Sequence, residues 1–301
     1  MVPPVSAALR GVVAPTVALL MALVLLRLDP AQLLATLRRP GLVAAACAWL
    51  LLACPVLTFG MTRALGLTGP LGAAVTLMAA SCAATSAPAF ARLVGLDAEL
   101  SLVVAVLTTA LVPFTAPPLA LGLLGLDLAL SVPGLMLRLL LVVGLPALAA
   151  LALRRALGAE RLARAGPAMD GLIVLALVVF AFGVMDGVLA RLLADPLWVL
   201  GGLVLAMAGN LGLNAATALA FAPAGRRAAL AAGLLAGNRN QALFLAVLPP
   251  EADPGVLLFF ALGQVPMFVS PFLLRPVYRR LDRCRADRAG RNRSSQASAS
   301  D

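Results

Sequence analysis

Residues 227–248 read RAALAAGLLAGNRNQALFLAVL, an apolar stretch interrupted at its middle by Gly237-Asn238-Arg239-Asn240-Gln241. A bilayer crossing takes about 20 mostly apolar residues, and this stretch has that length. The four polar residues 238–241 cover every direction around a helix, so they cannot all face apolar neighbours. The helix is predicted to break there, with the polar groups lining water, solute or freed backbone.

The rest of the chain confirms the setting. Of 301 residues, 62% are hydrophobic and 12% charged, with a mean hydropathy of +1.03, far from the soluble norm of about 25% charged. All 23 cationic residues are arginine, and most lie between apolar runs. The net charge of +10 therefore reads as membrane orientation, and no nucleic-acid partner is expected. Cys47, Cys54, Cys82 and Cys284 form no CxxC pair, and there is no histidine, so neither a zinc site nor a disulfide framework is expected. With nearly all 13 acids in loops or at span ends, the chain offers no general acid–base constellation and is not expected to be an enzyme.

Breaking the sequence at arginines, acids and Pro/Gly clusters predicts nine spans: 11–28, 41–60, 69–90, 100–125, 131–153, 169–189, 196–221, 227–248 and 255–278. The first run lacks a small-residue cleavage site and leads directly into the second, so it reads as a membrane helix and not a signal peptide. Alternating loops place Arg27, Arg38, Arg39, Arg92, Arg154, Arg155, Arg161, Arg164, Arg226, Arg227 and the arginines of 275–293 on one side. Arg10, Arg63 and Arg191 fall on the other. The arginine-rich side is the cytoplasmic one. The chain is thus predicted in a bacterial-type inner membrane, amino terminus outside and carboxyl terminus inside. The transmembrane domain spans 1–280, and the charged, Ser-rich 281–301 is predicted to be a disordered cytoplasmic tail.

A second interruption lies at Ser81-Cys82-Ala83-Ala84-Thr85-Ser86-Ala87-Pro88. Beyond each break stand similar proline-bearing segments, Val112-Pro113-Phe114-Thr115-Ala116-Pro117 and Val265-Pro266-Met267-Phe268-Val269-Ser270-Pro271. Two groups of four spans separated by one odd span take opposite orientations, the inverted-repeat plan of secondary transporters with a solute site where the broken helices meet.

Ala14-Pro15, Arg39-Pro40, residues 85–101 and Gly237 with Asn240 together resemble the bile acid:sodium symporter family, over residues 12 to 280. The resemblance implies a panel domain and a core with two crossed broken helices. It also implies transport of organic anions, sterol conjugates or small carboxylates, driven by two sodium ions. Its sodium ligands carry over to Leu50, Ala87, Pro88, Ser101, Ala105, Leu235 and Arg239, of which only Ser101 keeps an oxygen. Sodium wants several oxygen ligands, so sodium coupling is not expected, and no other cofactor is implied.

The candidate substrate-binding residues are Arg239, Asn240, Asn238, Gln241, Ser86 and Thr85, with Ser101 and Gln264 as a remnant ion site. Arg239 stands out because a buried arginine costs about 2.5–3.5 kcal/mol at a helix centre. Either it draws an anionic solute, or it satisfies carbonyls freed at the break and replaces sodium structurally. The expected function is alternating-access transport of a small organic anion. The alternatives are a receptor or scaffold retaining the fold, and an uncoupled or proton-coupled exporter, for which Asp186 is the nearest proton carrier.

Overall fold

The computed structural model describes residues 8–27, 39–123, 125, 130–249 and 252–297. Within them the chain is helical: α1 Val13–Arg27, α2 Pro40–Ala64, α3 Pro70–Ala80, α4 Ala87–Val94, α5 Ala98–Pro117 and α6 Val132–Arg164. There follow α7 Gly166–Val184, α8 Val188–Ala194, α9 Pro196–Ala220, α10 Arg226–Gly237, α11 Gln241–Val247 and α12 Pro254–Ala297.

Six segments among the described residues are long and apolar enough to cross a bilayer. The nine-span expectation meets shorter helices at three places. Over 11–28 the helix α1 has 15 residues. The spans expected over 69–90 and 227–248 each divide in two, because their polar or proline-bearing middles leave helical geometry. The helix expected to end at 189 stops at Val184, since Asp186 enters a turn closed by Gly187 at φ 77°. The span expected to end at 153 runs on to Arg164, with a kink at Gly158, where φ is 75°. The last helix also continues to Ala297, across the segment whose composition predicts disorder. Past Pro276 that stretch contains no proline and is rich in the helix formers Arg and Ala.

The outward sides of α6, α7 and α9 leave Leu145, Leu148, Val174, Leu175, Leu197 and Val204 exposed. Aliphatic surface on this scale is stable only against lipid. The chain is a polytopic helical membrane protein.

Two groups of helices organise the interior. α1 packs along α6 and α7 and is pinned at both ends. Arg10 pairs with Asp186 at 3.8 Å at one end. At the other, Arg27 pairs with Asp170 at 3.2 Å and donates to the Gly166 carbonyl at 2.9 Å. The second group contains α2, α3, α4 and α5 together with α9, α10 and α12, and α11 lies between the groups against α1, α6 and α12. There α10 lies against α9 without intervening side chains, since Gly233 and Gly237 face the Asn214 and Asn210 backbone.

Candidate functional site

The two interrupted helices cross at their breaks. Ala83 and Arg239 form an antiparallel bridge, with Ala84 N–H donating to the Asn238 carbonyl at 2.8 Å and Asn240 N–H to the Cys82 carbonyl at 2.9 Å. These bonds satisfy backbone that neither helix can pair internally. Thr108 Oγ1 takes the Ala83 N–H at 3.2 Å.

Three carbonyls remain, and a single guanidinium collects them. Arg239, fully buried, donates Nε to Ala236 O at 2.8 Å and Nη1 to Ser81 O at 2.9 Å and Leu50 O at 3.1 Å. Ala236 and Ser81 lie at the carboxyl ends of α10 and α3, where helices leave carbonyls unpaired. Leu50 lies in a π-turn of α2 over Trp49–Ala53. Cys54 N–H donates there to Trp49 O, and Pro55 has no N–H, so Leu50 O loses both of its helical donors. The signal for this acceptor was Pro55 itself. Nη2 has no partner among the described residues.

On one side of the crossing a cleft of about 100 Å³ opens between α1 and α7 and the pair α11 and α12. Thr85, Ser86, Asn240 and Gln264 supply its polar wall. Val17, Met21, Phe180 and Phe268 supply much of the apolar one. A separate cavity of about 580 Å³ lies beside Arg10 and Asp186, lined by Val13 and Ala14 of α1, Gly183 of α7 and Leu245 of α11. A smaller cavity of about 20 Å³, between Leu25, Pro88 and Leu102, shares Met21 and Thr85 with the cleft.

The expected site residues thus divide. Thr85, Ser86 and Asn240 meet at the cleft, and Gln264 joins them. Asn238 turns toward α9 and α12, its Oδ1 accepting from Asn210 Nδ2 and Ser270 Oγ, both at 3.1 Å. Gln241 is buried with Nε2 donating to Gly263 O at 3.4 Å. Arg239 lies behind the bridge and does not line the cleft. Ser101 bonds its own helix end, donating to Asp97 O at 2.8 Å. Arg138 donates to the Val247 carbonyl at 3.1 Å. The walls from α1 and α7 escaped sequence reading because aliphatic residues facing a cleft and facing lipid look the same.

Among the described residues no cluster of His, Cys, Asp or Glu could hold a metal ion. Leu50, Ala87, Ala105 and Leu235, to which the resemblance carries sodium ligands, pack together in one apolar cluster.

A lipid-exposed helical bundle with crossed, interrupted helices at the floor of a crevice belongs to the class of membrane transporters. The sequence matches the Sodium Bile acid symporter family over residues 14–192, more than half of the chain, and the protein belongs to that family. The matched segment ends before α9, so the second break and Arg239 lie outside it. No curated protein matches the chain significantly.

Proposed function

We propose that this protein carries a small organic anion across a bacterial inner membrane by alternating access, without sodium. The observation that carries the reading is the convergence of three freed carbonyls on Arg239. Donors are needed there to satisfy the crossing, and the guanidinium supplies them permanently together with a positive charge. The surroundings do not fit a sodium ion: the carried-over ligand positions are aliphatic, and a fixed positive charge sits among them.

In this reading α1, α6 and α7 form a panel that rocks against the crossed core, and the chain makes nine crossings, the broken pairs α3–α4 and α10–α11 counting as one each, with two groups of four related by an inverted repeat about the odd span α6. The distribution of arginines between the loops supports an amino terminus outside and an arginine-rich carboxyl end in the cytoplasm. Thr85, Ser86 and Asn240 contact the solute. Arg239 favours an anion by its charge, from behind the bridge and without contact, and no carboxylate lines the cleft to oppose it. Asn238 and Gln241 hold the break open, and Ser101 holds the start of α5.

Counterflow in proteoliposomes tests this. Vesicles loaded with unlabelled carboxylates or sterol conjugates are expected to take up the labelled compound equally in sodium chloride and in choline chloride. Uptake confined to sodium would overturn the sodium-free mechanism, and absence of any exchange from well-folded protein would point instead to a receptor or scaffold.

A further inference from the structure

We propose that a cavity between the α2–α3 turn, the start of α9 and the start of α12 holds the headgroup of a phospholipid that carries an ammonium group. This cavity is separate from the cleft at the crossing, and the inference does not depend on the transport reading.

The cavity has a volume of about 370 Å³, within the range of about 300–1,000 Å³ usual for small-ligand sites. Thr68 and Leu71 line it from the α2–α3 side, Arg191 and Trp198 from the α8–α9 junction, and Asp253 and Leu258 from α12 and the residue before it. Pro254 and Leu258 also line the cavity beside Arg10 and Asp186, so both lie at the same end of the bundle.

Local sequence builds the polar part. Asp195 caps α9, accepting from Trp198 N–H at 3.1 Å, and pairs with Arg191 Nη2 at 3.0 Å. The Arg191 guanidinium lies over the Trp198 ring, 4.9 Å from its centroid. Stacking and pairing together orient the fork, while Nη1 has no acceptor among the described residues and the side chain remains 41% exposed. At α12, Asp253 accepts from Gly255 N–H at 2.7 Å. Among the described residues no cation pairs with its carboxylate.

These charges select the ligand. Asp195 compensates Arg191 and Asp253 is left over, so a simple anion meets two carboxylates and a simple cation meets a guanidinium. A zwitterion avoids both conflicts, its phosphate taking the free edge of Arg191 and its ammonium taking Asp253. The lipid is the source of that zwitterion because Leu197, next to Trp198, begins a stripe with Leu200 and Val204 that is more than half exposed along α9. Acyl chains cover such a stripe, and Trp and Arg are side chains that settle at headgroup level above it.

The test uses full-length protein purified free of lipid in detergent, with dissociation constants from native mass spectrometry and melting temperatures read alongside. Phosphatidylethanolamine and phosphatidylglycerol of the same acyl chains share the phosphate, and only the first has the ammonium. Phosphatidylethanolamine is expected to bind about fivefold more tightly, the ratio that one partly exposed charge pair supplies, and to raise the melting temperature.

Asp253→Asn keeps an oxygen for the Gly255 cap and is expected to erase the preference while phosphatidylglycerol still binds. Arg191→Gln is expected to weaken both lipids alike, and the lipid-free melting temperatures show that both variants fold. Equal binding of the two lipids by the parent, or a preference that survives Asp253→Asn, overturns the inference. Glycerophosphoethanolamine, the same headgroup without chains, is expected to leave the melting temperature unchanged at concentrations where the lipid saturates. An equal rise with it overturns the lipid as occupant in favour of a soluble zwitterion.

Discussion

Purified Arg239→Leu protein is expected to melt on the order of 10 °C below the parent and to carry no solute. The substitution leaves Ala236 O, Ser81 O and Leu50 O without their donor, in a place where neither water nor another helix reaches them. A buried acceptor left unsatisfied costs about 1–3 kcal/mol, and each kcal/mol shifts the midpoint by about 2–4 °C in a chain of 150–250 residues. Arg239→Lys should fall between the two, since one ammonium replaces a planar fork whose Nε and Nη1 reach different carbonyls. A leucine variant within about 1 kcal/mol of the parent would show that the crossing holds without a cation.

The same region allows a gain-of-function experiment. The triple variant Leu50→Gln, Leu235→Glu, Arg239→Gln restores the residue types that the family resemblance places at these positions. It is expected to melt higher in sodium chloride than in choline chloride, whereas the parent melts alike in both. Identical melting of the triple variant in the two salts would separate this pocket from sodium altogether.

The second large effect is expected on the seam between α9 and α10. A Cβ at Gly233 would lie 2.6 Å from Asn214 O, and one at Gly237 2.7 Å from Asn210 O. Both obstacles are backbone, so the helices must separate. Small-to-large changes of this kind cost about 1–3 kcal/mol each, and here separation also stretches the 2.7 Å bond from Asn210 Nδ2 to Gly237 O and the bond to Asn238. Gly233→Ala with Gly237→Ala is therefore expected to lower the melting temperature by about 5–15 °C and to reduce transport more than either change alone. Gly201→Ala on α9, where nothing lies within 4 Å, is the control. It should be neutral or slightly stabilising, because alanine favours a helix over glycine by about 1 kcal/mol. Equal melting of the double variant and this control would show that the seam is loose.

The sequence by itself determined that the chain lives in a bilayer, because 62% hydrophobic residues and 12% charged ones leave a water-soluble fold too little polar surface. It also located both breaks, since Pro88 and the polar residues 238–241 cannot continue an apolar helix, and it singled out Arg239 as a buried charge needing compensation. The partners of that charge were decided by tertiary structure alone. Leu50 O is 189 positions away in sequence and is freed only because a π-turn and Pro55 coincide. The division of the polar cluster, with Asn240 in the cleft and Asn238 and Arg239 behind it, was likewise decided by partners distant in sequence, Asn210 and Ser270 for Asn238 and the Ser81 and Leu50 carbonyls for Arg239. Composition and spacing specify which groups must be satisfied; only the packing of distant helices specifies which group satisfies which.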